Sequence, residues 1–459
     1  MFQIFLLHFS YLGVGLLLLR VIFKKVKYPF LLRLSLGYFV GILVHIIFIQ
    51  FFITATLTSP YLSWCLLATG LFALIIEIHV AVKDRANKIK FVLGSPKKWL
   101  LNLFVIILLV PVTFLVTLKL VGLPDISYDP TCFWFLKSKY LFYGEHLWTD
   151  AFLDTHRVHP HPGYPLYMPI FIFEHYSILG VADDWLTKYG TWVYYTVGMI
   201  LFFLLIRQWT DTTIALLAII FMLYSPLYSY RFVPGTPTNT LLDFPLSLMI
   251  AASVGFFIRY LFDKSTIDLF SACVFVSSSL LLKREGTVWF ILFISLAPIA
   301  IVYNQKQFWR NDYTWFLLPI LTLICWKLIS RNLPPESDLA LPTAKQLFSL
   351  RNVFPKMIMA WLNSIVDFRV WGFLPIFIIP FFALGLIKNL RNLSISVPAF
   401  LIIGYLGAIF LILMLTEVQT GKFDYFMSVT YHRLILQLLP ASMLIAIFLN
   451  SNKLKHLNP

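Results

Sequence analysis

Long apolar runs restrict how this chain folds more than any other feature of its sequence. Stretches of about 18 residues or more with almost no charge recur along it, and each is long enough to cross a bilayer as a helix. Charged residues make up 12% of the chain, about half the share that is usual in soluble domains. The period-two alternation that marks membrane barrel strands is absent. The sequence therefore predicts an all-α, polytopic integral membrane protein, with a single transmembrane domain over residues 1–459.

Basic residues between the apolar runs predict which side of the membrane each loop faces. Lys and Arg concentrate in loop 24–33, in loop 83–98 and in the C-terminal tail, and such residues favour the cytoplasmic side. The first apolar run has no basic residue before it, so we expect it to remain as a helix instead of being cleaved as a signal. The pattern predicts about thirteen spans, with the N-terminus outside and the C-terminus in the cytoplasm.

The predicted spans leave two long exterior loops, residues 122–187 and 331–371. Spans are predicted at about 1–23, 34–56, 61–82, 99–121, 188–207, 213–230, 241–262, 266–282, 287–303, 314–330, 372–389, 396–416 and 434–450. Residues 166–180 are apolar but short, and they carry Glu174 and His175. Because a charge at the centre of a membrane helix costs about 2.5–3.5 kcal/mol, this segment is predicted to be an exterior surface helix. The amphipathic stretch 355–368 is also predicted to lie flat on the membrane.

The net charge and the cysteines exclude some classes of function. The formal net charge is +15, but basic cytoplasmic loops account for it and no soluble basic domain is evident, so no nucleic-acid partner is expected. Three of the four cysteines lie in apolar runs, and only Cys132 falls in a predicted exterior loop. This distribution indicates neither a disulfide framework nor a metal site.

Polar side chains gather where the predicted helices end on the exterior side. They are Asp125, Asp129, Trp134, Lys137, Lys139, His159, His161, Tyr164, Asp243, Lys283, Arg284, Glu285, Tyr431, His432 and Arg433. A transporter more often places such groups near the middle of the membrane, on broken helices. The one-sided arrangement, with spans that carry little charge, favours chemistry at the outer interface.

The order of these residues resembles that in the membrane-embedded glycosyltransferases of the C superfamily. The similarity is to the bacterial and archaeal branch related to protein O-mannosyltransferases and the lipid A aminoarabinose transferase. The matching motifs are Asp129–x4–Trp134–x2–Lys137–x–Lys139, His161–Pro162–Gly163–Tyr164–Pro165, Asp243 in LLDFPLSL, Lys283–Arg284–Glu285–Gly286 and Arg433 in YHRLILQLLP. Gly163 stands where the family has an acid. The resemblance covers about residues 120–435, and residues 1–98 add helices before the family's usual start.

The resemblance implies catalytic exterior loops that transfer a sugar from a polyprenyl-phosphate donor to an acceptor. Asp129 would be the general base for the acceptor hydroxyl, and a single displacement would invert the configuration of the sugar. Asp125 would orient the acceptor, or would bind a divalent cation, Mg²⁺ or Mn²⁺, together with Asp129. No third protein ligand for such a cation is evident in the sequence. The alternative for Asp129, which precedes Pro130, is a structural turn.

Basic and aromatic residues complete the predicted site. The candidates for binding the donor phosphate are Lys137, Lys139, Lys283, Arg284 and Arg433, and the candidates for binding substrate are Trp134, His161, Tyr164, Asp243 and Glu285. Lys137 and Lys139 are two positions apart, so they cannot share a helix face and one of them is expected to be solvated. Glu285 is expected to pair with a cation. Snorkelling cations and an interfacial aromatic belt are the structural alternatives.

Other interpretations stay open at this point. His159 and His161 lack a third zinc ligand, and a structural loop is favoured for them. A glycan polymerase or ligase would use a pyrophosphate-linked donor, and a transporter would move a lipid-linked glycan without cleaving it. The acceptor is a glycan, a lipid or a protein, in contact with membrane lipid. A prokaryotic plasma membrane with the active site outside is expected, with the endoplasmic reticulum membrane as the alternative.

Overall fold

The structure is a computed structural model in which part of the chain is described. The described residues are 1–24, 28–55, 60–83, 96–122, 134–144, 146–153, 163–224, 243–305, 311–333, 351–356, 358–359, 362–363, 374–420, 432–451 and 454. They form helices and connecting turns, and none of them is in a strand. Most of the predicted second exterior loop, with most of stretch 355–368, lies outside these residues.

The helices are numbered here in chain order. They are α1 (Phe2–Phe23), α2 (Phe30–Thr54), α3 (Pro60–Lys83), α4 (Pro96–Gly122), α5 (Leu136–Gly144), α6 (Asp150–Leu153), α7 (Tyr167–Leu179), α8 (Asp184–Arg207), α9 (Thr212–Tyr224), α10 (Asp243–Asp263), α11 (Thr266–Leu282), α12 (Glu285–Gln305), α13 (Leu317–Ser330), α14 (Leu374–Asn389), α15 (Leu393–Thr420), α16 (His432–Leu436) and α17 (Leu439–Leu449). A 3₁₀ helix, Asn311–Phe316, precedes α13.

The lengths and apolar character of these helices confirm an all-α, multi-pass membrane protein. Within the described residues, eight helices are long and apolar enough to cross a membrane, and five further apolar helices have 10–17 residues. Local sequence signals set several helix ends. Gly180 adopts a left-handed conformation, with φ of 73°, and its N–H caps the Tyr176 carbonyl at the end of α7. Pro440 lies in the first turn of α17, where its missing N–H has no cost.

The described helices divide into two compact units. Unit 1 comprises Met1–Ile107, Thr117–Leu204 and Ile320–Pro335, and unit 2 comprises Leu108–Val116, Leu205–Pro319 and Glu336–Pro459. In unit 1, α1 packs against both α2 and α3 through glycines that let the backbones approach closely. A Cβ atom added to Gly15 would lie 1.7 Å from the Gly37 carbonyl oxygen, and one added to Gly13 would lie 2.0 Å from that of Gly70.

Helix α7 corrects the prediction of a surface helix for residues 166–180. Every residue from Tyr167 to Ile178 is buried, and α7 packs against α1, α2 and α3. Glu174 Oε2 accepts a hydrogen bond from Tyr11 Oη at 3.0 Å, and Glu174 Oε1 lies 2.9 Å from His45 Nδ1. The surface prediction was wrong because it treated the carboxylate as unpartnered, whereas groups on α1 and α2 offset the cost of burying it.

Helix α10 lies at the centre of unit 2. Its residues from Asp243 to Ile258 are all buried, and α11, α12, α15, α16 and α17 pack around it. A helix that is apolar on every side is expected in such a position. Trp289 of α12 donates a hydrogen bond from Nε1 to Ser253 Oγ at 3.0 Å. This packing fixes Asp243, the first residue of α10, in a buried position.

Candidate functional site

The candidate site in unit 2 is built around the Asp243 carboxylate. Lys283 Nζ donates to Asp243 Oδ1 at 2.7 Å, and Arg433 Nε donates to Asp243 Oδ2 at 2.8 Å. Gln437 Nε2 also donates to Oδ1, at 2.7 Å. Both carboxylate oxygens are thus bound, and the side chain of Asp243 is 0% exposed. Three separate parts of the sequence meet on one carboxylate.

Two further side chains complete this group. Glu285 Oε1 lies 3.0 Å from Lys283 Nζ, so the predicted pairing of Glu285 with a cation is confirmed. Tyr405 Oη donates to Gln437 Oε1 at 2.8 Å. We call Asp243, Lys283, Glu285, Tyr405, Arg433 and Gln437 the Asp243 cluster. Its two carboxylates balance its two cations, which offsets the large cost of burying isolated charges.

Helix ends place the charged members of the cluster. Asp243 and Glu285 lie in the first turns of α10 and α12, where the helix dipole favours negative charge. Lys283 follows the last residue of α11 in an extended conformation. Gly286, the second residue of α12, is required there because a Cβ atom would lie 1.9 Å from the Ser279 carbonyl oxygen. The glycine therefore lets α12 begin directly against α11, with only Lys283 and Arg284 between the two helices.

A second group of predicted residues lies in unit 1. Trp134 and Tyr164 make an edge-to-face contact with ring centroids 6.0 Å apart. Lys137 Nζ lies 6.0 Å from the centroid of the Tyr164 ring, within cation–π range. Lys137 is 0% exposed. Three of the residues predicted from the first exterior loop are therefore neighbours, and aromatic faces beside a buried cation suit a sugar next to an anion.

Lys139 points elsewhere. Its Nζ donates to Asp184 Oδ2 at 2.7 Å, and Asp184 Oδ1 accepts a very short hydrogen bond from Tyr176 Oη. Burial, with the hydrogen bond to Asp184, raises the pKa of Tyr176 well above its ordinary value. The Lys139 side chain is 34% exposed, so Lys137 and Lys139 differ in surroundings as their spacing predicts. The ion pair accounts for Lys139 without a donor phosphate.

The remaining predicted residues are only partly covered. Asp125, Asp129 and His161 lie outside the described residues. Arg284 is described and follows Lys283 in the turn that leads to α12. Among the described residues, no group of three or more His, Cys, Asp and Glu side chains could hold a metal ion. Because Asp125 and Asp129 are not among them, a divalent cation there stays a prediction.

Comparison with known proteins adds no relative. No family model, no curated protein and no solved structure matches this chain. The family stays a prediction from motif order.

Sequence reasoning missed two members of the Asp243 cluster. Gln437 lies four positions after Arg433, a helical spacing that was visible in the sequence. Tyr405 lies inside the apolar run of α15, where no local pattern distinguishes it from the other aromatic residues of that run.

Proposed function

We propose that this protein is an integral membrane glycosyltransferase that uses a polyprenyl-phosphate sugar donor. The observation that carries the proposal is the Asp243 cluster. The motif order predicts that Lys283 and Arg433 bind the donor phosphate and that Asp243 binds substrate. In the structure both cations bind Asp243. Residues 40 and 190 positions from Asp243 meet there, and cations held in place before substrate arrives suit a phosphate whose charge grows during reaction.

The proposed reaction is a single displacement at the anomeric carbon. An acceptor hydroxyl attacks that carbon as the bond to the phosphate oxygen breaks, and the electron pair of that bond leaves with polyprenyl phosphate. Asp129 takes the proton of the hydroxyl, and Asp125 orients the acceptor. The sugar inverts its configuration. A phosphate leaves without protonation, so no general acid is needed.

The described residues have distinct roles in this scheme. Lys283 and Arg433 bind the donor phosphate, with Arg284 beside them. Asp243 is a positioning residue that acts through these two cations. Lys137 lies beside the aromatic pair Trp134 and Tyr164, which would stack on the sugar.

The proposal includes the finer topology. It has about thirteen spans with an outside N-terminus, and the lipid donor and the acceptor glycan, lipid or protein meet at the outer face. A prokaryotic plasma membrane is the proposed location. Divalent-cation dependence is left to experiment, by comparing transfer with and without a chelator.

Donor specificity tests the proposal. Purified protein would be given polyprenyl-monophosphate sugars and polyprenyl-diphosphate sugars in parallel, and the released lipid phosphate would be measured. Release from a monophosphate donor alone is the expected result. Release only from a diphosphate donor would replace the proposal with a polymerase or ligase. Movement of an intact lipid-linked sugar across vesicles, without release, would replace it with a transporter.

A further inference from the structure

Unit 1 contains a second polar group that takes no part in the proposed transfer. We call it the inner cluster: His8 and Tyr11 on α1, Tyr38 and His45 on α2, and Glu174 and His175 on α7. Each of these side chains is at most 5% exposed. Ionisable residues at membrane depth are costly and commonly mark a functional site. Their hydrogen bonds indicate which function.

A backbone carbonyl sets the direction of the hydrogen bonds. His175 Nδ1 lies 2.6 Å from the Phe171 carbonyl oxygen, which only accepts, so Nδ1 carries a hydrogen. In neutral His175, Nε2 is then an acceptor, and His8 Nε2 donates to it over 3.2 Å. His8 Nδ1 in turn accepts from the Tyr38 hydroxyl at 2.7 Å. The neutral chain therefore runs in one direction, from Tyr38 through His8 to His175.

Glu174 gives the inner cluster its charge. Its carboxylate oxygens lie 3.0 Å from Tyr11 Oη and 2.9 Å from His45 Nδ1. His45 Nε2 is buried and has no hydrogen-bond partner among the described residues. When the three histidines are neutral, the cluster holds no cation that pairs with the Glu174 carboxylate.

A cavity adjoins the other end of the chain. It has a volume of about 280 Å³. His8 and Tyr38 line it, together with mainly apolar side chains of α1, α2 and α8 such as Leu12, Leu34 and Val193. The chain thus connects a cavity to His175, the neighbour of Glu174 in sequence.

We infer that the inner cluster is a proton-binding site, which takes up one proton through Tyr38 and His8 and holds it on His175 with the Glu174 carboxylate as counter-charge. The cluster then goes from one net negative charge to none. The inference does not depend on glycosyl transfer. It assigns a function to α1 and α2, which lie before the resembling part of the chain, together with α7, which lies within it.

The transfer conserves every hydrogen bond of the chain. A hydronium ion gives a proton to the Tyr38 oxygen and is left as water. Tyr38 passes its own proton to His8 Nδ1, and His8 passes its Nε2 proton to His175 Nε2. Each hydrogen bond then runs in the opposite direction, with the Tyr38 hydroxyl turned to the cavity. The titratable groups that interact with His175 are His8 and Glu174, and those that interact with these two in turn, or with their neighbours, are Tyr11, Tyr38, His45, Tyr167 and Tyr194.

Nitrogen NMR of the full-length protein in lipid nanodiscs, with ¹⁵N-labelled histidine, tests the inference. The signal that is absent in His175→Gln identifies His175, and as the pH falls from 8 to 4 that signal should change from the neutral to the imidazolium form. The exposed His79 on α3 provides the matched control, because His79→Gln should leave the change of the His175 signal as it is in wild type. A His175 signal that stays neutral throughout would overturn the inference.

Two variants should change the proton affinity of His175 in opposite directions, and they separate proton binding from a structural role. Glu174→Gln removes the counter-charge and should lower the proton affinity of His175 by about tenfold or more. Tyr11→Phe removes a donor that partly neutralises Glu174 and should raise that affinity. Tyr11→Phe also keeps the test decisive if Glu174→Gln fails to fold. Equal titration in wild type and Tyr11→Phe would contradict the inference.

The proposed route has its own test. Tyr38→Phe removes the hydroxyl that connects His8 to the cavity, and should slow exchange of the His175 Nε2 proton with solvent by about tenfold or more. Unchanged exchange would exclude the route through Tyr38.

Discussion

Lys283 Nζ lies 2.7 Å from Asp243 Oδ1, although 40 positions separate the two residues. Because Arg433 binds the other oxygen of the same carboxylate, the loop after α11 and the start of α16 are both tied to the first turn of α10. The cluster exists only when these segments pack together. The side chains that hold these segments together are therefore the same ones that form the proposed phosphate site.

Asp243→Asn should destabilise the protein by about 3 kcal/mol, because two buried cations lose their shared anion. This loss is at the low end of the usual cost of breaking a buried ion pair, because Lys283 Nζ keeps Glu285 Oε1 as a partner at 3.0 Å. Unfolding in a mild detergent measures the change. Asp263→Asn is the control, because that carboxylate is 57% exposed and lies 3.6 Å from Arg259, and its loss should cost about 1 kcal/mol or less. Equal losses would contradict the assigned role of Asp243.

Gly286→Ala should destabilise the protein by about 1–3 kcal/mol, because the added methyl group would overlap the Ser279 carbonyl. It should also reduce donor cleavage, since the backbone shift moves Lys283. Gly407 on α15 has nothing within 4 Å of an added Cβ, so Gly407→Ala should be neutral or stabilising by up to about 1 kcal/mol. Unfolding and donor-cleavage assays of the two variants compare these effects. A Gly286→Ala protein with wild-type stability would show that the turn tolerates a side chain.

Lys137→Met and Lys139→Met should differ although they change the same residue type two positions apart. Lys139 is partly exposed and paired with Asp184, so its loss should cost about 1 kcal/mol or less and leave donor cleavage nearly unchanged. Lys137 is buried beside Tyr164, and its loss should reduce donor cleavage about tenfold or more. Rates measured at equal amounts of folded protein check this order. The reverse order would assign the donor phosphate to Lys139.

Gly190→Ala should destabilise unit 1 by about 1–3 kcal/mol, because a Cβ atom there would lie 2.0 Å from His175 Nε2. The His175 ring would have to move away from His8. The unfolding midpoint reports the loss, and a changed ¹⁵N signal of His175 would show where it arises. If both stay at their wild-type values, His175 does not pack on Gly190 as described.

Much of this architecture follows from local sequence patterns, and the rest depends on distant contacts. Apolar runs locate helices such as α1 and α10 because span length and charge are local properties. The burial of α7 was not predictable in this way, because it depends on Tyr11 and His45 of other helices. The partner of Lys139, Asp184, likewise has no local signal. Motif order predicted that Asp243, Lys283 and Arg433 belong to one site, and the described contacts join them.

Donor cleavage by wild type beside Asp129→Asn tests the central claim most directly. Purified protein would be incubated with a polyprenyl-phosphate sugar and an acceptor, and free polyprenyl phosphate would be measured over time. Asp211→Asn, a change at an exposed acid before α9, is the matched control. We predict release by wild type and the control, and a decrease of about 10²–10⁴-fold in Asp129→Asn. Undiminished release by folded Asp129→Asn would contradict the account.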